Sequence, residues 1–119
     1  MADFAGAADV AVVVAAGGAG VRLGGGVPKA LRPLAGQPLV THAVQRVVSA
    51  GSVGCVVVVA PPGHEPQVRE VLADRPGQPR WPGWPGSLLV VSGGAHRQQS
   101  VAAGLAAVPP EFEIVLVHD

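Results

Sequence analysis

Four short runs of β-branched and aliphatic residues constrain this chain more than any other feature. They are Val10–Val14, Val53–Ala60, Leu88–Val91 and Ile114–Val117. The first two are apolar at every position or nearly so, the pattern of a parallel strand buried on both faces. Glycine or proline closes the first three: Gly17-Gly18, Pro61-Pro62-Gly63 and Gly93-Gly94. Between them the apolar spacing becomes helical. Leu39, Val40, Ala43, Val44, Val47 and Val48 predict a helix over Leu39–Val48, with Gly51 as its stop. Val68, Val71 and Leu72 predict a shorter one over Glu65–Ala73. A third is predicted over Gln98–Ala107, ended by Pro109-Pro110. Strand and helix alternate throughout, which predicts right-handed βαβ units. The fold class is therefore α/β: a Rossmann-like parallel (mixed) sheet with helices on both faces. The Pro- and Gly-rich stretch 75–86, with Trp81 and Trp84, reads as a surface insertion, and residues 1–8 read as a frayed terminus.

Composition narrows the function classes. Of the 119 residues, 49% are hydrophobic, which supplies a core and argues against disorder. One domain fits this length. Eight basic and eight acidic residues cancel, so no global field recruits nucleic acid. Cys55 is the sole cysteine and lies in an apolar run, so it reads as a buried small hydrophobe. No run approaches the ~20 apolar residues of a membrane span. The first residues lack the basic and apolar regions of a secretory signal. The expected setting is cytoplasmic, with no membrane partner.

Ligands of such sheets sit beyond the carboxyl ends of the strands. The unusual residues gather there: Ala15 to Gly20, Ser92 to Ala95, and His118-Asp119. The first segment runs Ala15-Ala16-Gly17-Gly18-Ala19-Gly20-Val21-Arg22-Leu23. Glycines after a buried strand let backbone N–H groups approach an anion. The dinucleotide fingerprint fails, since Leu23 stands where its third glycine belongs, and Lys29 lies between Pro28 and Ala30, which is no Walker loop. Arg22 and Lys29 are nevertheless suited to a phosphate chain. Lys29 is the only lysine, the other seven bases being arginine, and Pro28 restricts the backbone before it.

These stretches, with Pro28-Lys29-Ala30-Leu31 and Gly36-Gln37-Pro38-Leu39, resemble the opening of sugar-phosphate nucleotidyltransferases. Gly93-Gly94-Ala95-His96-Arg97-Gln98-Gln99-Ser100-Val101 and Val115-Leu116-Val117-His118-Asp119 narrow the resemblance to the 2-C-methyl-D-erythritol 4-phosphate cytidylyltransferases, from about Val12 onward. The resemblance implies transfer of CMP from CTP to methylerythritol phosphate, with pyrophosphate released. It assigns Arg22 and Lys29 to the CTP phosphates and the transition state. Gly18, Ala19 and Gly20 would line the triphosphate, while Ala15, Ala16 and Gly17 would contact ribose and cytosine. Gly94, Ala95 and Ser100 would read the cytosine edge, and Asp119 would bind Mg²⁺.

The chain departs from the family in places. Ala15 stands where a proline is usual, and Ala95 where an acidic residue is common. The resemblance makes residues 1–119 the CTP-binding part of a single nucleotidyltransferase domain. The family's second half holds most acceptor contacts and a dimer arm, so a homodimer is implied for the full-length protein. A polypeptide ending at Asp119 is expected to be inactive and poorly folded. A ribitol 5-phosphate cytidylyltransferase shares the three motifs and stays open as an alternative. So does a non-catalytic nucleotide-binding module or inert fragment. A guanylyltransferase of the molybdenum cofactor ranks behind both. His42, His64, His96 and His118 read as structural, and no Cys/His set has zinc spacing.

Overall fold

A computed structural model describes residues 9–16 and 27–118. The first strand, β1 (Val10–Ala15), ends at Ala16. A short 3-10 turn follows at Lys29–Leu31, then the two-residue strands β2 (Pro33–Leu34) and β3 (Gln37–Pro38) and the helix α1 (Leu39–Val48). Next come β4 (Val53–Ala60), α2 (Glu65–Leu72), β5 (Ser87–Ser92), α3 (Arg97–Ala107) and β6 (Ile114–His118). The bounds of α1 and β4 match the sequence reading, and β1, α2, β5, α3 and β6 differ from it by one residue at one or both ends.

Among the described residues the main sheet has four strands in the order β5-β4-β1-β6, all parallel. The chain steps from β1 to β4 to β5 in one direction, and β6 then lands on the other side of β1. That reversal makes the carboxyl ends of β1 and β6 the topological switch point, where sheets of this kind bind their ligands. The register there pairs Val14 with His118.

β4 is the centre of the molecule, buried at every position from Val53 to Ala60. Its β-branched residues suit a strand covered on both faces, and each fully buried valine contributes about 1.5 kcal/mol or more. Val56 and Val58 face one layer, with Val12, Val14, Val40, Val44, Val47, Val68 and Leu72. α1 and α2 therefore cover that face. Cys55, Val57 and Val59 face the other with Ala11 and Val13, under Ala107, Val108 and Phe112. α3 lies so close there that a β-carbon at Gly104 would come within 2.4 Å of a Val13 methyl. Helices thus flank the sheet on both sides, as expected. Burial first, and the Glu111 carboxylate second, push the Cys55 thiol pKa up.

β2 and β3 form a hairpin that the sequence reading did not separate from its surroundings. Its loop is Ala35-Gly36, both at positive φ (53° and 83°), the sense that matches strand twist. His42 Nε2–H donates to the Leu34 carbonyl at 2.6 Å and ties the hairpin to α1. His64 stands at the N-cap of α2, where its backbone carbonyl accepts from Val68 N–H at 3.1 Å, while its ring Nδ1–H donates to the Pro62 carbonyl at 3.2 Å and caps no helix N–H.

Stretch 75–86 is tied down rather than loose. Asp74 Oδ1 accepts from Arg80 N–H at 2.6 Å, Arg75 and Gln78 pair across a tight turn, and Trp84 reaches the start of β4. Trp81 and Trp84 pack on the layer under α1 and α2. At the outer margin, Arg69 of α2 donates to the Val90 carbonyl of β5 at 3.1 Å. No helix among the described residues is long and apolar enough to cross a membrane.

Candidate functional site

The carboxyl ends of three strands are stitched together by backbone hydrogen bonds. Ala16 N–H donates to the Val59 carbonyl at 3.0 Å, and Gly93 N–H donates to the Ala60 carbonyl at 2.8 Å. The tip of β4 therefore holds Ala15-Ala16 on one side and the Gly93–His96 turn on the other. Those are two of the three strand ends expected to share a site. The third, at His118, borders β1 through its pairing with Val14. His118 Nδ1 is shielded from solvent and has no hydrogen-bond partner among the described residues.

The turn after β5 is built by the start of α3. Ser100 is only 1% exposed, and its Oγ accepts from Gly94 N–H at 3.2 Å. It sits beneath the turn and shapes it. Gln99 Oε1 accepts from His96 N–H at 3.0 Å, and the His96 ring accepts from Gln99 N–H. This reciprocal pair is a capping box with histidine at the N-cap, where Ser or Thr is usual. Gly94 lies under the Gln99 side chain: a β-carbon there would fall 2.5 Å from Gln99 Cβ and 2.7 Å from Oε1. Sequence reasoning missed His96 and Gln99 as a pair. The signal was present as a Gln three residues after the N-cap.

Ala95 is exposed at the crest of the turn. Lys29 opens the 3-10 turn and is also exposed, and Ala30 beside it is buried in the layer under α1. Leu31 and Arg32 donate their N–H groups to the Pro28 and Lys29 carbonyls at 3.0 Å each. The backbone carrying Lys29 is thus held while its side chain is in solvent. Ala15, Ala16, Gly94, Ala95 and Ser100 fall on one edge of the sheet. Gly17, Gly18, Ala19, Gly20, Arg22 and Asp119 lie outside the described residues.

A doubly wound α/β unit with a glycine-rich segment after β1 and a fitted turn after β5 defines the class: a Rossmann-like fold with its topological switch point between β1 and β6. The chain belongs to the 2-C-methyl-D-erythritol 4-phosphate cytidylyltransferase family, whose profile matches residues 10–119. A 2-C-methyl-D-erythritol 4-phosphate cytidylyltransferase of Streptomyces coelicolor is 48% identical over 112 residues, covering 94% of this chain and 40% of that protein. A bifunctional IspD/IspF enzyme of Clavibacter michiganensis is 44% identical over 108 residues, covering 91% of this chain and 25% of that protein. The chain therefore spans less than half the length of these relatives. The crystal structure of a 4-diphosphocytidyl-2C-methyl-D-erythritol synthase from Anaerococcus prevotii has the same fold, with a TM-score of 0.67 at 21% identity. That match covers 92% of this chain and 42% of the other.

Proposed function

We propose that this chain is the CTP-binding part of an enzyme that transfers CMP from CTP to 2-C-methyl-D-erythritol 4-phosphate. The family match over residues 10–119 carries the reading. An oxygen of the acceptor phosphate attacks the α-phosphorus of CTP in line. A new P–O bond forms, the bond to the β-phosphate oxygen breaks, and pyrophosphate leaves. No protein nucleophile is required, so this chain contributes positioning and charge stabilisation. Arg22 and Lys29 neutralise the phosphates, and Gly18, Ala19 and Gly20 offer backbone N–H groups to them. Ala15, Ala16 and Gly17, small residues after a buried strand, leave room for ribose and base. Gly94 and Ala95 read the cytosine edge, with Ser100 fixing the turn that presents them.

Mg²⁺ is the implied cofactor. Among the described residues no three His, Cys, Asp or Glu side chains cluster to hold a metal. Mg²⁺ does not need such a cage: one carboxylate with phosphate oxygens and water suffices. Asp119, following the strand-end residue His118, is the proposed carboxylate. When bound, the ion would offset charge on the triphosphate. The full-length enzyme is proposed to work in the cytoplasm as a homodimer.

Calorimetric titration with CTP and GTP tests the base. CTP is expected to bind at least about tenfold more tightly, a difference of about 1.4 kcal/mol. Equal affinities would remove the cytidylyl assignment. Competition between methylerythritol phosphate and ribitol 5-phosphate in a transfer assay on the full-length enzyme tests the acceptor, and preference for ribitol 5-phosphate would overturn the acceptor named here.

A further inference from the structure

We infer that Gln99 is a positioning residue for the turn that faces the nucleotide, an inference that rests on the function proposed above. Three contacts carry it. Its Oε1 accepts from His96 N–H at 3.0 Å. Its own N–H is held by the His96 ring, which closes the reciprocal box. Its side-chain stem covers Gly94 so closely that no β-carbon fits beneath it. The next residue, Ser100, takes Gly94 N–H. Gly93 N–H is taken by the Ala60 carbonyl.

The backbone donors of Gly93, Gly94 and His96 are therefore all engaged from below or behind. Ala95, exposed at the crest between Gly94 and His96, has no hydrogen-bond partner among the described residues for its N–H. Gln99 fixes both neighbours of Ala95, one by a hydrogen bond and one by contact. Its side chain thereby sets the direction in which that N–H points. Gln99 is itself exposed, so removing its amide leaves the core intact.

The test compares the full-length enzyme with its Gln99→Met and Gln99→Glu variants. Methionine keeps the stem and loses the acceptor, whereas glutamate keeps an acceptor at the same position. Amide hydrogen exchange reads the turn without any ligand, and CTP calorimetry reads its consequence. Gln99→Met is expected to lose protection at His96 while Ala102 to Ala106 stay protected. Its CTP affinity is expected to fall about five- to tenfold, the scale of a lost cap interaction. Gln99→Glu is expected to restore both readouts. Met binding CTP as tightly as the parent, or Glu failing to restore binding, would overturn the positioning role. A full-length parent that binds no CTP would instead overturn the function it rests on, and the exchange data would show whether the turn is held as described.

Discussion

The indole Nε1–H of Trp84 donates to the Val53 carbonyl at 2.7 Å, joining stretch 75–86 to the first residue of the central strand. Gly86 sits flat against the same ring, with no room for a β-carbon. The stretch closes the amino-terminal end of the layer under α1 and α2, opposite the proposed site. Replacing Trp84 with Phe keeps most of the ring and strips the Val53 carbonyl of its partner. A loss of about 1–2 kcal/mol is expected. Trp84→Ala should cost more, about 2–4 kcal/mol, since packing is lost as well. Urea unfolding midpoints check both, and neither variant should alter CTP affinity.

Ser100 and Gly94 make a second pair with a measurable consequence. Ser100→Ala removes a buried acceptor and leaves Gly94 N–H unmet. The expected cost is about 1–2 kcal/mol, with weaker CTP binding as the turn relaxes. Chemical denaturation and calorimetry on the same variant check the two effects. Unchanged CTP binding together with a large loss of stability would confine Ser100 to packing.

Ala35 holds a left-handed conformation, φ 53°, in the two-residue loop between β2 and β3. A residue such as alanine, with a β-carbon and no short polar side chain to hydrogen-bond locally, pays about 1 kcal/mol there. Ala35→Asn or Ala35→Gly should therefore stabilise the protein by about 0.5–1 kcal/mol. Thermal unfolding checks the sign, and a lower midpoint for both variants would contradict the loop assignment.

Cys55 is fully buried and its thiol pKa is raised, chiefly by desolvation. The folded state therefore holds this proton more tightly than the unfolded chain does. Its contribution is complete below the unfolded value of about 8.5 and is lost as pH rises through the higher folded value. Relative to Cys55→Ala, the parent should lose stability as pH climbs from about 8.5 upward. Urea midpoints across that range check this. The thiol should also react with alkylating reagents only as fast as the protein opens.

The strands were legible in the sequence because Val53–Ala60 and its neighbours are apolar without interruption. Buried parallel strands leave that trace, and no tertiary contact overrides it. The hairpin was not legible. Pro33 and Pro38 bound strands of two residues each, too short to show alternation. Strand order was not legible either, since the placement of β6 beside β1 depends on packing between distant segments. At the site, the Gly-Gly turn stood out by residue type, and Ser100 only through the family resemblance. The box at its base was concealed because His96 is an unusual N-cap. The alanines after β1 drew notice only because glycines follow them.

The two margins of the sheet have opposite characters. Along β5 a guanidinium already occupies the Val90 carbonyl, so an incoming strand would meet a positive charge where it needs a free acceptor. Along β6, Ile114 and Leu116 are about half exposed. Arg69 thus acts as a guard against strand addition along the β5 margin.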